Sequence, residues 1–432
     1  MREYVLAAIL VLQACSAGLA VAQDDIDREP ICYKTAPVSD AVAQLQERME
    51  AGDVELAWDD RHGWLPSLLE LLEVPRSSQT LVFSKTSLQQ TKISPVRPRA
   101  LYFSDDVYLG SVQFGNLLEL SAVDPKQGAI FYSLKQKQSE SPQIVRDDAN
   151  CLSCHHSRRT RDVPGYLVRS VYTTLSGRPR YELGTTTTDP TSDFRERFGG
   201  WYVTGNHGKM RHRGNAIVAD EGPEELDVES AANLDELDER VDPTKYLTPH
   251  SDLVAIMVLE HQSQLHNRIT LASYQGRRAI HYDKTWNEIL DRPAGHISEV
   301  SERRIASAGE ELVEYLLFSG EFGLTSPIIG TSDFAKEFPL RGPRDSRGRS
   351  LREFDLQQRL FKYPCSYLIY SDSFAALPSN MRQYVNDRLR EVLTGEDKSP
   401  EFAHLSDTDR QAVLEILTDT LPGFGEEPST EG

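Results

Sequence analysis

Hydrophobic positions change their spacing several times along this chain, and each change marks a different kind of element. At 37–50 and 64–72 apolar residues recur at the helical period, which predicts two short helices. From 80 to 134 the pattern shortens into runs such as Thr80-Leu81-Val82-Phe83, Ala100-Leu101-Tyr102-Phe103, Val107-Tyr108-Leu109-Gly110 and Ala129-Ile130-Phe131-Tyr132, separated by Gly, Pro, Asp and Asn. β-Branched and aromatic residues in short runs bounded by turn formers predict a small antiparallel sheet. Two further runs, 166–172 and 180–183, flank the turn Leu175-Ser176-Gly177-Arg178-Pro179 as a hairpin. The segment 219–245 is rich in Asp and Glu with little apolar periodicity and reads as an acidic surface excursion. Beyond it, 250–271, 302–318, 356–370, 380–393 and 408–421 carry apolar stripes near the 3.6-residue period, with a Pro, Gly and Arg-bearing loop at 325–349. The expected fold class is α+β, with a β-rich N-terminal half (23–218) and a mainly α-helical C-terminal half (246–432) joined by the acidic segment.

Residues 1–22 belong to neither half. Arg2, an apolar run and the small residues Ala20-Val21-Ala22 have the order of a secretory signal peptide. Leu12-Gln13-Ala14-Cys15 offers a competing reading, a lipid anchor at Cys15, but Gln13 suits a lipoprotein box poorly. No later stretch approaches the ~18 apolar residues of a spanning helix. The expected location is therefore periplasmic or otherwise extracytoplasmic. Across 432 residues, 39% hydrophobic and 26% charged, a sizeable core can form, and a net charge of −19 repels phosphate backbones, which argues against a nucleic-acid partner.

The chemistry concentrates in Cys151-Leu152-Ser153-Cys154-His155, the C-x-x-C-H spacing of c-type haem attachment. Two thiols one helical turn apart add to the two haem vinyl groups, and the adjacent imidazole reaches the iron. With 5 Cys and 11 His in the chain, chance supplies on the order of 0.001 to 0.002 such pentapeptides. A structural zinc site at Cys151, Cys154 and His155 or His156 would need further ligands nearby. A thioredoxin-like pair would need a strand feeding the motif, where the polar, turn-like Arg146-Asp147-Asp148-Ala149-Asn150 stands. Both readings are weaker than one covalently attached haem c held by Cys151, Cys154 and His155. Cys32 and Cys365 are left over, either as a disulfide or as separate thiols.

A small cytochrome c carries this motif near the start of an all-helical domain, whereas here it lies 150 residues in, among predicted strands. The segments Ile93-Ser94-Pro95-Val96-Arg97-Pro98-Arg99-Ala100-Leu101-Tyr102-Phe103, Asn150-Cys151-Leu152-Ser153-Cys154-His155, Gly199-Gly200-Trp201-Tyr202-Val203-Thr204-Gly205 and Gly348-Arg349-Ser350-Leu351-Arg352 resemble those of a largely uncharacterised family of secreted bacterial proteins, common in planctomycete-like genomes, that bear a cytochrome c-type signature. The resemblance covers most of the chain after residue 22. It implies covalent haem and no particular substrate.

The opposite face of the iron would take His, Met or nothing. Two His and a Met occur in the glycine-flanked loop 205–215, and Met257 and His261 lie one turn apart on a predicted helix. His212 is the first choice as distal ligand, with His207, Met257 and His261 as alternatives. Arg158, Arg159 and Arg161 could pair with haem propionates or solvate a loop, and His156 is read as a surface or propionate-contacting residue. The expected function is electron transfer by a single-haem cytochrome-like protein with an unknown redox partner. A haem-dependent, peroxidase-like oxidoreductase with an open distal position, or a haem-bearing sensor or binding module, are the alternatives.

Overall fold

The computed structural model describes residues 25–222 and 226–425, so the expected signal peptide, Cys15 included, lies outside the described residues. Two compact units divide the chain at Pro37. In the first, residues 25–37 make tight turns, with Cys32 N–H donating to Arg28 O and Tyr33 N–H to Ile26 O.

The second unit begins with helix α1 (Ala41–Glu50), capped by the Asp40 carboxylate, and α2 (Leu65–Leu71). A run of strands follows: β1 (Thr80–Val82), β2 (Arg99–Phe103), β3 (Val107–Ser111), β4 (Leu117–Asp124), β5 (Gly128–Lys135) and β6 (Ile144–Arg146). Helix α3 (Asp148–His155) comes next, then β7 (Val168–Val171), β8 (Thr185–Thr188), β9 (Trp201–Tyr202) and β10 (Gly205–Asn206). The larger sheet runs β6-β5-β4-β3-β2-β1-β9, antiparallel throughout, while β7 pairs with β8. The side-chain period of 2 gives this sheet two different faces. On one, Tyr132 donates its hydroxyl to Asp40 at the start of α1. The other carries Arg99, Phe103, Tyr108, Glu119, Ser121, Val123 and Phe131, and holds the motif helix and the long helix that follows.

The C-terminal half contains α4 (Leu253–Ile289), α5 (Glu299–Leu316), the short β11 (Ile329–Gly330) paired with β10, α6 (Ser379–Thr394) and α7 (Asp407–Thr420). The fold is α+β, as the hydrophobic pattern implied. Both halves share one core, which extends from Val82 through Phe131, Leu253 and Leu312 to Phe424. Among the described residues no helix is long and apolar enough to cross a membrane.

Five expectations change in detail. Instead of an amphipathic stripe, α4 is buried all round from Leu253 to Thr270; it is a central pillar, so polar residues on it must find partners inside the protein. The segment 356–370 forms no α-helix: Asp355 turns the chain by accepting from the Gln357 and Gln358 N–H groups, Phe354 bridges Phe361, and Pro364 has no N–H to give a helix. Its apolar spacing comes from an aromatic cluster, Phe354, Phe361 and Tyr367. The hairpin partner of β7 is Thr185–Thr188, because at Pro179 the ladder stops after one bridge to Thr173. The loop 325–349 turns inward at Phe334 and Phe338, both buried, and the acidic segment is pinned by buried Ala231, Leu237 and Val241.

Candidate haem-attachment site

The Asp147 side chain caps α3, accepting from Asn150 N–H at 3.4 Å and from its amide Nδ2 at 2.9 Å. The helix is two turns long and ends at His155. Cys151 and Cys154 lie three positions apart, so both thiols leave the same side of the helix. Cys154 is exposed, while Cys151 is half-buried and packs with Leu152 against the core. Burial, reinforced by Asp147, Glu119 and Asp148, pushes the Cys151 thiol up to about 12. A thiol that holds its proton is a poor redox thiolate, which weighs against the thioredoxin-like alternative; the segment before the motif nonetheless departs from its turn-like reading, since β6 (Ile144–Arg146) feeds the motif helix directly. A zinc ion would need a ligand group, and among the described residues no three His, Cys, Asp or Glu side chains come together to hold one.

His155 packs on Phe131 of β5, ring centres 4.8 Å apart, and its Nδ1 lies 2.8 Å from Gly165 O. A carbonyl oxygen only accepts, so Nδ1 carries the proton and Nε2 presents a lone pair. Burial holds the imidazole below its ordinary pKa despite the Gly165 bond. The ring is thus neutral at neutral pH, with one nitrogen fixed by a carbonyl and the other bare, the condition an iron-ligating histidine requires.

The carbonyl that fixes His155 is itself held from α4. Asn267 accepts from Tyr166 N–H at 2.8 Å and donates to Tyr166 O at 2.7 Å. Gly165 is required there, since a Cβ at that position would stand 2.1 Å from Asn267 Oδ1. Beneath the motif, Arg99 and Glu119 form a 2.5 Å ion pair across the sheet. It passes over Gly110, where a side chain would collide with the guanidinium.

The remaining candidates lie in other surroundings. His207 donates from Nδ1 to Met210 O at 2.6 Å and accepts at Nε2 from Asn233 N–H at 3.2 Å, so both its nitrogens are engaged. His212 is buried 4.6 Å from the His207 ring among Phe194 and Phe198, and burial takes its pKa down to about 3. The loop that holds both leaves from β9, five strand spacings from the Phe131 strand, about 24 Å along the sheet. His261 stacks on Phe318 and Tyr315 with Nε2 2.7 Å from Ser366 Oγ, and Met257 is buried on the same helix. Among the described residues the ring contact of His155 is with Phe131. Arg158 and Arg159 are exposed next to the motif, Arg161 pairs with Glu311 at 2.9 Å, and His156 reaches Asp162 O. Cys32 and Cys365 are both free thiols, Cys365 fully buried with its pKa pushed up to about 12.

No family model, curated protein or solved structure matches the chain. The functional reading therefore rests on the motif and its surroundings. Phe131, Gly165 and Asn267 support His155 and carried no sequence signal, because each acts through a contact distant in the chain.

Proposed function

We propose that this chain is an extracytoplasmic single-haem c-type protein that transfers electrons. Cys151 and Cys154 would hold the haem through thioethers, and His155 Nε2 would ligate the iron. A haem bound there supplies a one-electron iron couple, tuned by its axial ligands and its burial. The protein's part is to orient His155 through Gly165 O and Phe131, to keep the imidazole neutral, and to screen one side of the site with the sheet. The observation that carries the reading is the bare Nε2 of a tautomer-fixed histidine directly after two cysteines one turn apart.

A second reading, a haem-dependent oxidoreductase with an open distal position, draws support from His207, both of whose nitrogens are engaged. The two differ in spin state: six-coordinate low-spin iron favours transfer, five-coordinate high-spin iron favours catalysis.

The test is a pyridine haemochrome spectrum of protein matured with c-type assembly machinery and then denatured. We expect haem to stay attached with a two-thioether band, and the Cys151→Ala variant to lose that band. Failure to retain haem, in cells where a control cytochrome matures, would overturn the proposal.

A further inference from the structure

Two segments far apart in the chain enclose a cavity of about 410 Å³. One wall is α2 with the turn that follows it, and the other is the inward-turning segment 334–340. The floor is apolar: Leu69 and Val74 come from the first wall, Phe334 and Phe338 from the second, each at most 4% exposed. The two rings lie 5.4 Å apart, and Phe334 packs on Phe103 of β2 at 5.6 Å, which sets the floor against the sheet. The walls are also tied to each other. Ser77 Oγ donates to the Glu337 carboxylate, and Ser332 Oγ donates to Ser77 O at 3.2 Å. The cavity is therefore preformed, and an occupant enters it without first ordering a loop.

The rim is acidic. Glu70, Glu73 and Glu337 line it, with Arg341 as the one cation among the lining residues. Arg341 is already engaged, 3.9 Å from Asp105 and with its guanidinium 5.4 Å from the centre of the Phe338 ring. The Glu70 and Glu73 carboxylates have no hydrogen-bond or ion-pair partner among the described residues. Two unpaired carboxylates on one cavity repel each other and any anion that approaches. At the mouth Leu340 is 76% exposed, an apolar side chain left uncovered beside an apolar floor.

We propose that this cavity binds a small organic cation with an apolar body, an alkyl or aryl amine. The body lies on the floor and is covered by Leu340, which removes apolar surface of both from water. The ammonium stays at the rim, donates to Glu70 and Glu73, and keeps part of its hydration while neutralising their charge. A neutral ligand of the same shape gains the floor alone, and a carboxylate with that body meets three acids. The net charge of −19 favours the cation from a distance as well. Haem plays no part in this binding.

The test is isothermal titration of the matured protein with phenethylamine, 2-phenylethanol and phenylacetate, which share a ring and differ in charge. We expect one site, with phenethylamine about five- to tenfold tighter than the alcohol, as two exposed ion pairs would give, and phenylacetate weakest. Glu70→Gln/Glu73→Gln should bring amine and alcohol to the same affinity, and Leu340→Ala should weaken both together. All three positions are exposed, and circular dichroism checks that the variants are folded. Glu299→Gln/Glu302→Gln, at the exposed start of α5, should keep the wild-type order. Equal binding of amine and alcohol by the wild type, or no binding of the amine, would overturn the proposal. So would an amine preference that survives in Glu70→Gln/Glu73→Gln, because that amine would then sit elsewhere, at a haem iron for instance.

Discussion

Glu260 lies fully buried on α4, with Arg197 3.4 Å away as its ion-pair partner. Burial outweighs the guanidinium and raises the carboxyl from 4.5 to about 7. The folded protein therefore holds this proton more tightly than the unfolded chain does. Stability drawn from the group is complete below pH 4.5 and is lost as pH rises through about 7. Glu260→Gln cannot titrate, so its thermal unfolding temperature, measured against the wild type from pH 4 to 8, should gain relative to the wild type across that window. A constant difference at every pH would show that Glu260 keeps its ordinary pKa. At this scale Cys151, Cys154 and His155 were legible because the chemistry needs them within five residues of each other. Gly165 was not: it matters through a missing Cβ, which leaves no mark on linear spacing.

The motif helix is too short to stand alone, and its placement depends on what α4 contributes. Asn267 satisfies the buried N–H and C=O of Tyr166, next to the carbonyl that orients His155. Asn267→Leu removes both bonds, and leaving each buried backbone group unpaired costs about 1–3 kcal/mol. Urea unfolding should register the loss, and the haem-loaded variant should show altered iron coordination in its visible spectrum. A fall in stability with an unchanged spectrum would mean that Asn267 supports the core and leaves the ligand alone. On the partner helix, Leu312 is completely buried in the shared core. Truncation to Ala should cost about 2–5 kcal/mol in the same titration. Strands and helices with a clean period could be read from the sequence. The 356–370 segment could not, because a cluster of rings around Phe361 imitates helical spacing, and the full burial of α4 was hidden by its polar residues, Glu260 to Arg268.

For residues 38–425 the decisive fact is a single core that draws on the sheet and the helices together. Phe131 and Val123 from the sheet sit in the same cluster as Leu253, Leu312 and Val385. The α+β class was readable from composition and period, but the interdependence of the halves was not, since a change in pattern at the acidic segment looks like a boundary. Calorimetry should give one transition for both halves, with equal calorimetric and van 't Hoff enthalpies. Expression of 38–222 alone should give no cooperative transition, because Tyr108, Tyr166 and Phe131 would lose the α4 surface they pack on. Two separable transitions would show that the halves fold independently.

The turn between α4 and α5 has the opposite character. Residues 291–297 are exposed throughout, and a Cβ added at Gly295 would meet no neighbour within 4 Å. Asp283 and Ser298 close the loop at its base through a 2.6 Å hydrogen bond, so the helices are already joined before the tip is reached. The tip is thus a natural port for engineering: a fluorescent reporter or affinity tag inserted after Ala294 should be carried without disturbing either the shared core or the motif helix.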